Sequence, residues 1–209
     1  FRNISCFKTI IFFMYKALML KIYQQAIKEP ITFKGIGLHT GMSSNIKILP
    51  GNANQGIIFK RTDLNLNNLV HANYKNVSSA KLCTTLENEH GVKVSTVEHL
   101  LAALYIAEID NALVEIDNQE VPIMDGSAKE FLNILQNTEI KILNKKRRYI
   151  KITSKLELND GRKKISIEPS KHSFEVDFQL NYENKVIGNQ KNHINFHTDN
   201  LDEIRESRT

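Results

Sequence analysis

The heptapeptide NALVEID, residues 111–117, restricts the fold more than any other stretch of the chain. Ala112, Val114 and Ile116 fall on one face and Leu113, Glu115 and Asp117 on the other. Successive side chains of a strand point to opposite sides, so this alternation calls for a sheet with one covered face. Material for the cover flanks it. STVEHLLAAL (95–104) gathers Val97, Leu100, Leu101 and Leu104 on one side of a helix, expected from Thr96 to Ile106. SAKEFLNILQN (127–137) presents Phe131, Leu132 and Leu135 as a second apolar stripe. Both helices open with the same signature: Ser95 with Glu98 and Ser127 with Glu130 have the spacing of a capping box.

Further strands are expected in ITFKG, SSNIKILP, GIIFKRTD and KLCTTLEN, and EVPIMDG suggests an edge position because of Pro122. Asp125-Gly126 reads as a turn, and the glycines of GIGLHTG as a loop with only a faint likeness to a phosphate cradle. Lys145 to Arg148 are four consecutive basic residues, read as a solvated linker. The architecture then restarts. Asp160-Gly161 predicts a type I′ hairpin turn between YIKITSKLEL and RKKISIEP. HSFEVDFQLNY and NHINFH give two more strands, and a helix starts at Thr198 or Asp199. The fold class is therefore α+β: two similar α/β-sandwich units, residues 19–145 and 146–209, the second incomplete.

The 209 residues are 41% hydrophobic and 24% charged, a globular composition. The net charge of +5 suits an acidic partner such as a nucleotide or phosphate but is too mild to diagnose nucleic acid. Two cysteines, Cys6 and Cys83, imply no disulfide framework, so a reducing cytoplasm is the default. Residues 1–18 read as a leader or upstream translation with a start at Met19, or else as a membrane-surface anchor. Only seven residues separate Lys8 from Lys16, too few for a spanning helix of about 20.

GIGLHTG, KRTDLN, LCTTL, NEHGVKVSTVEHLLAAL, EIDN and EVPIMDGSAKEF occur in that order between Ile31 and Phe131. Together they resemble the UDP-3-O-acyl-N-acetylglucosamine deacetylases, zinc enzymes of lipid A synthesis in Gram-negative bacteria. The final SRT resembles the start of a further family segment. The resemblance implies that His99 is one of three zinc ligands, that Glu98 is the general base, and that Thr209 stabilises the oxyanion. It places Leu82 and Cys83 on a strand lining the site, although Cys83 reads equally well as a small buried hydrophobe. His39 falls in a loop beside the site. The implied substrate is a nucleotide-sugar lipid precursor, and the implied reaction is acetamide hydrolysis with Zn2+ in the cytoplasm. It involves neither nucleic acid nor a membrane span, and at most transient membrane-surface contact.

Local physics is compatible with these roles. A helix N-terminus disfavours imidazolium and favours carboxylate, which keeps His99 neutral for a metal and Glu98 ionised as a base. His99 is expected to point away from the apolar stripe, beside Ala102 and Ala103. The family's other two ligands come from a His-x-x-x-Asp helix, a pattern absent here. The fourth residue after His193 is His197, and after His197 it is Leu201. Both histidines read as surface residues. The expectation is thus a C-terminally truncated chain that is inactive alone. The competing readings are a basic α+β module binding a nucleotide sugar or RNA without reacting it, and a structural fragment that has lost the chemistry.

Overall fold

The computed structural model describes residues 22–171, 174–196, 198–199 and 202–208. The leader reading of residues 1–18, Met19, Cys6, His197 and Thr209 all lie outside them. The chain divides into two compact units, one comprising residues up to Arg147 together with Arg205–Thr209, the other Arg148–Ile204. The architecture is α+β.

In the first unit, strands β1 (Tyr23–Ile27), β2 (Ile31–Ile36), β3 (Ser43–Pro50), β4 (Ile57–Arg61) and β5 (Leu69–His71) come first. A 3-10 turn at Tyr74–Asn76 leads to the short strands β6 (Val77–Ser79), β7 (Thr85–Glu87) and β8 (Lys93–Val94). Helix α1 (Glu98–Ile106), strand β9 (Ala112–Ile116), helix α2 (Lys129–Gln136) and strand β10 (Ile140–Lys146) follow. The main sheet has the order β2-β3-β9-β4-β5, antiparallel except for the parallel β4–β9 pair. The heptapeptide strand is thus the central one, and its Ala112, Val114 and Ile116 are fully buried. Ile46 and Ile48 of β3, Phe59 of β4 and Val70 of β5 join them in one core with Leu100 and Leu104 of α1 and Phe131, Leu132 and Leu135 of α2. Phe33 of β2 meets Phe131 edge-on, with ring centroids 5.4 Å apart. Ala103 belongs to this core as well, so only Ala102 is left exposed beside His99.

The basic run is not a solvated linker throughout. Strand β10 extends to Lys146 against β1, and the Arg147 side chain is only 12% exposed. Its guanidinium donates to Asp110 Oδ2 at 2.9 Å, to Glu108 Oε2 at 3.2 Å and to the Glu108 carbonyl at 2.7 Å. Burial works against that charge, but Asp110 and Glu108 outweigh it and raise the pKa above the usual arginine value. Asp110 Oδ2 also accepts from the Gln25 N–H of β1 at 2.7 Å. Arginine thereby staples the end of the unit to its first strand.

The second unit consists of two hairpins, β11 (Leu156–Asp160) with β12 (Lys163–Ile167), and β13 (Glu175–Asn181) with β14 (Asn189–Asn195). A short helix α3 (Asp202–Glu206) follows. The first turn differs from the expected type I′. Asp160 pairs with Lys163 and is the last strand residue, so the central pair is Gly161-Arg162. Gly161 has φ +58 while Arg162 is not in the left-handed region, the pattern of a type II′ turn with glycine first.

Candidate functional site

Helix α1 is reached through a backbone conformation unusual for its residue. Thr96 has φ +56, a genuine outlier for a β-branched side chain. The cap residue is Val97, and no side chain caps the helix. The expected Ser95–Glu98 capping box is not formed because each side chain is committed elsewhere. Ser95 Oγ donates to the Gln119 carbonyl at 3.2 Å, and Glu98 Oε2 accepts from the Thr84 N–H at 3.0 Å. The second box is absent as well: the cap position of α2 is Ala128, and Ser127 Oγ accepts from the Lys129 N–H at 3.1 Å. Asp125 accepts from both the N–H and the hydroxyl of Ser127, at 3.0 and 2.7 Å. That hydroxyl, ahead of the opposing effect of burial, holds its carboxyl below the usual range, as a turn residue in that geometry requires.

Glu98 and His99 are both half-buried, on the first turn of the helix, while the next residue, Leu100, is fully buried. Two backbone contacts strap this turn to the segment before β7: Thr84 donates to Glu98, and the Val97 N–H reaches the Thr84 carbonyl at 3.4 Å. The carboxylate is thus oriented by a fixed donor and keeps lone pairs for another proton.

Leu82 and Cys83 do not lie on the strand, which starts only at Thr85. Leu82 has φ +68 and is 80% exposed. Cys83 is a half-buried free thiol whose Sγ sits 3.9 Å from Thr85 Oγ1. The left-handed turn at Leu82 explains the difference, because it breaks the extended run that LCTTL suggests. His193 is a surface residue of β14, its Nδ1 3.0 Å from Asp177 Oδ1 across the hairpin.

Sequence reasoning missed Glu120, which is fully buried. EVPIMDG makes no edge strand. Glu120 only bridges Ser95 in parallel, and its side chain turns inward. Oε1 accepts from Thr96 Oγ1 at 2.9 Å and from the His39 N–H at 3.0 Å, and Oε2 accepts from the Thr40 N–H at 2.8 Å. Burial alone pushes such a carboxyl up, but these donors, the His39 N–H foremost, overcome it and leave the pKa below the usual glutamate value. Gly37 is necessary here, since a Cβ would stand 2.4 Å from Glu120 Oε2. The GLHTG loop is therefore a carboxylate cradle, and His39 itself is exposed. The available signal was one acid in an otherwise apolar EVPIM.

Among the described residues no three His, Cys, Asp or Glu side chains come together as a metal site. A catalytic zinc takes three protein ligands, a set that the described residues do not assemble.

Fold and site define an α+β protein with a half-buried Glu-His pair on the first turn of a helix, its carboxylate held by a neighbouring backbone N–H. Residues 24–209 match the family model described as LpxC, UDP-3-O-acyl N-acetylglycosamine deacetylase, and the chain belongs to that family. It is 41% identical to the UDP-3-O-acyl-N-acetylglucosamine deacetylase of Nautilia profundicola over 187 residues, which is 89% of this chain and 63% of that protein. It is 38% identical to the enzyme of the same name from Pseudoalteromonas atlantica over 191 residues, 90% of this chain and 62% of that one. The Shewanella violacea enzyme is 38% identical over 173 residues, 83% of this chain and 56% of that protein. The chain thus spans roughly three-fifths of the length of these curated relatives.

Proposed function

We propose that the protein to which this chain contributes hydrolyses the acetamide of UDP-3-O-acyl-N-acetylglucosamine, releasing acetate, as a step of lipid A biosynthesis in the cytoplasm. The observation that carries this reading is the Glu98 carboxylate, half-buried beside His99 and held by the Thr84 N–H at 3.0 Å in a member of the deacetylase family. In this reading Glu98 accepts the proton of the attacking water, and the leaving amine takes its proton from a group other than the described residues. His99 serves as one protein ligand of a zinc ion completed by residues other than those described. Such an ion, when bound, polarises the amide carbonyl and acidifies water to a pKa of about 7. Leu82 and Cys83 contact the substrate from the turn before β7, and Thr209 donates to the developing oxyanion.

The test compares the 209-residue chain with the longest reading frame containing it, using the acylated nucleotide sugar as substrate. The longer protein is expected to release acetate, to lose activity to a chelator, and to regain it with Zn2+. Glu98→Ala is expected to lower kcat by about 100-fold or more, within the span of general-base contributions. The 209-residue chain is expected to be inactive. Turnover by that chain alone refutes the claim that its zinc site is incomplete, and an inactive longer protein refutes the reaction.

A further inference from the structure

Among the described residues, every donor to the Glu120 carboxylate comes from the residue before the Glu-His turn or from the glycine loop, and none is a cationic side chain. We propose that Glu120 is a positioning residue: its buried carboxylate holds Thr96 to the 37–41 loop and so fixes the turn that carries Glu98 and His99. The inference rests on the reading that this pair does the chemistry.

Two features of the geometry support it. Thr96, at φ +56, is held where a β-branched residue does not settle by itself, a strain that persists only where surroundings dictate it. Its surroundings do so on both sides. The hydroxyl is bonded to Glu120 Oε1, and the preceding residue is locked by Ser95 N–H to Gln119 O at 2.8 Å and Val121 N–H to Ser95 O at 3.0 Å. Next, the strained residue sits immediately before Val97 and Glu98, whose contacts with Thr84 aim the carboxylate. Release of Thr96 changes where that turn leaves the 119–121 segment, and therefore where both functional side chains point.

A carboxylate is needed rather than an amide. Both oxygens accept, Oε1 from the Thr96 hydroxyl and the His39 N–H, Oε2 from the Thr40 and His39 N–H groups. In either orientation glutamine turns its NH2 toward a backbone N–H, His39 on one side or Thr40 on the other, and so loses an acceptor that the carboxylate supplies. Glu120 itself is enclosed and acts only through Thr96 and the loop.

The experiment uses Glu120→Gln, Thr96→Gly and Thr96→Ser in the 209-residue chain, read by amide hydrogen exchange and by the ring resonances of His99. Glycine accepts the left-handed backbone but lacks the hydroxyl, so Thr96→Gly tests the link even where Glu120→Gln fails to fold. In Glu120→Gln and Thr96→Gly the Thr84 amide is expected to exchange at least tenfold faster and the His99 ring signals to move, with Phe131 and Leu132 unshifted. Thr96→Ser is expected to match the parent. The proposal is overturned if folded Thr96→Gly keeps the parental Thr84 exchange and His99 signals. In the longer reading frame, Thr96→Gly is expected to lower kcat at least tenfold with KM within twofold, and Thr96→Ser to restore it. If the unsubstituted longer protein does not deacetylate, the reaction fails, and the exchange data still decide the positioning.

Discussion

Glu120 shows how much a single side chain decides. Its ionised form is preferred in the folded state, because the His39 and Thr40 N–H groups and the Thr96 hydroxyl stabilise the charge more than burial penalises it. A folded-state pKa below the unfolded one adds stability that is full above the unfolded value, about 4.3 for glutamate. That stability is lost as pH falls through the lowered folded value, since the unfolded chain then binds the proton more readily. Stability of the parent chain, followed by urea unfolding between pH 6 and 3, is therefore expected to decline with a steeper slope than that of Glu120→Gln. Equal slopes contradict the assignment. None of this was legible in EVPIMDG: the His39 and Thr40 donors lie 81 and 80 residues away in GLHTG and the Thr96 hydroxyl 24 residues away, and a local pattern carries no information about contacts of that range. The helix that carries Glu98 and His99 was legible because its apolar stripe is a local pattern. The capping box was not realised, because Thr84 and Gln119 compete successfully for the same two side chains.

Elements defined by periodicity came through where the partner face was generic. The alternation of NALVEID needs only some apolar cover, and the stripes on α1 and α2 supply it. Endings were less legible, since they depend on particular partners. The basic run illustrates this, because charge alone reads as solvated until Asp110 and Glu108 are brought beside Arg147 by the return of β10 along β1. The same holds for the hairpin turn, where one residue of register exchanges Asp160-Gly161 for Gly161-Arg162. The staple has a measurable consequence. Arg147→Ala leaves the Asp110 carboxylate with the Gln25 N–H but without its cation, and is expected to cost about 1.5–3 kcal/mol, the usual range for hydrogen bonds to charged groups. Chemical denaturation measures the loss, and exchange of the β1 and β10 amides is expected to accelerate before that of β3 or β9. A uniform acceleration across the sheet argues that Arg147 stabilises the unit without serving as the clamp of its outer strand pair.

At the scale of the molecule the two units are stabilised very differently. The first buries one continuous core to which the five-stranded sheet, strands β1, β7 and β8, and helices α1 and α2 all contribute. In the second, the β11–β12 hairpin pairs Leu156 with Ile167 and Leu158 with Ile165, yet all four remain exposed, Leu158 at 68%. An isolated two-stranded hairpin is at best marginal in water, because backbone ordering is repaid only when a third strand or a helix covers its apolar face. The open free energy of such a segment lies near the low end of the range a protein spans, while core strands approach the global value. Strand amides in residues 156–195 are therefore expected to exchange at least tenfold faster than those of β3, β4 and β9 in the 209-residue chain. In the longer reading frame, any segment that covers the face of Leu156, Leu158, Ile165 and Ile167 is expected to slow that exchange, with the first unit unchanged. Equal protection of both units in the 209-residue chain contradicts this account, since it requires a stabilisation of the hairpins that their exposed leucines and isoleucines do not supply.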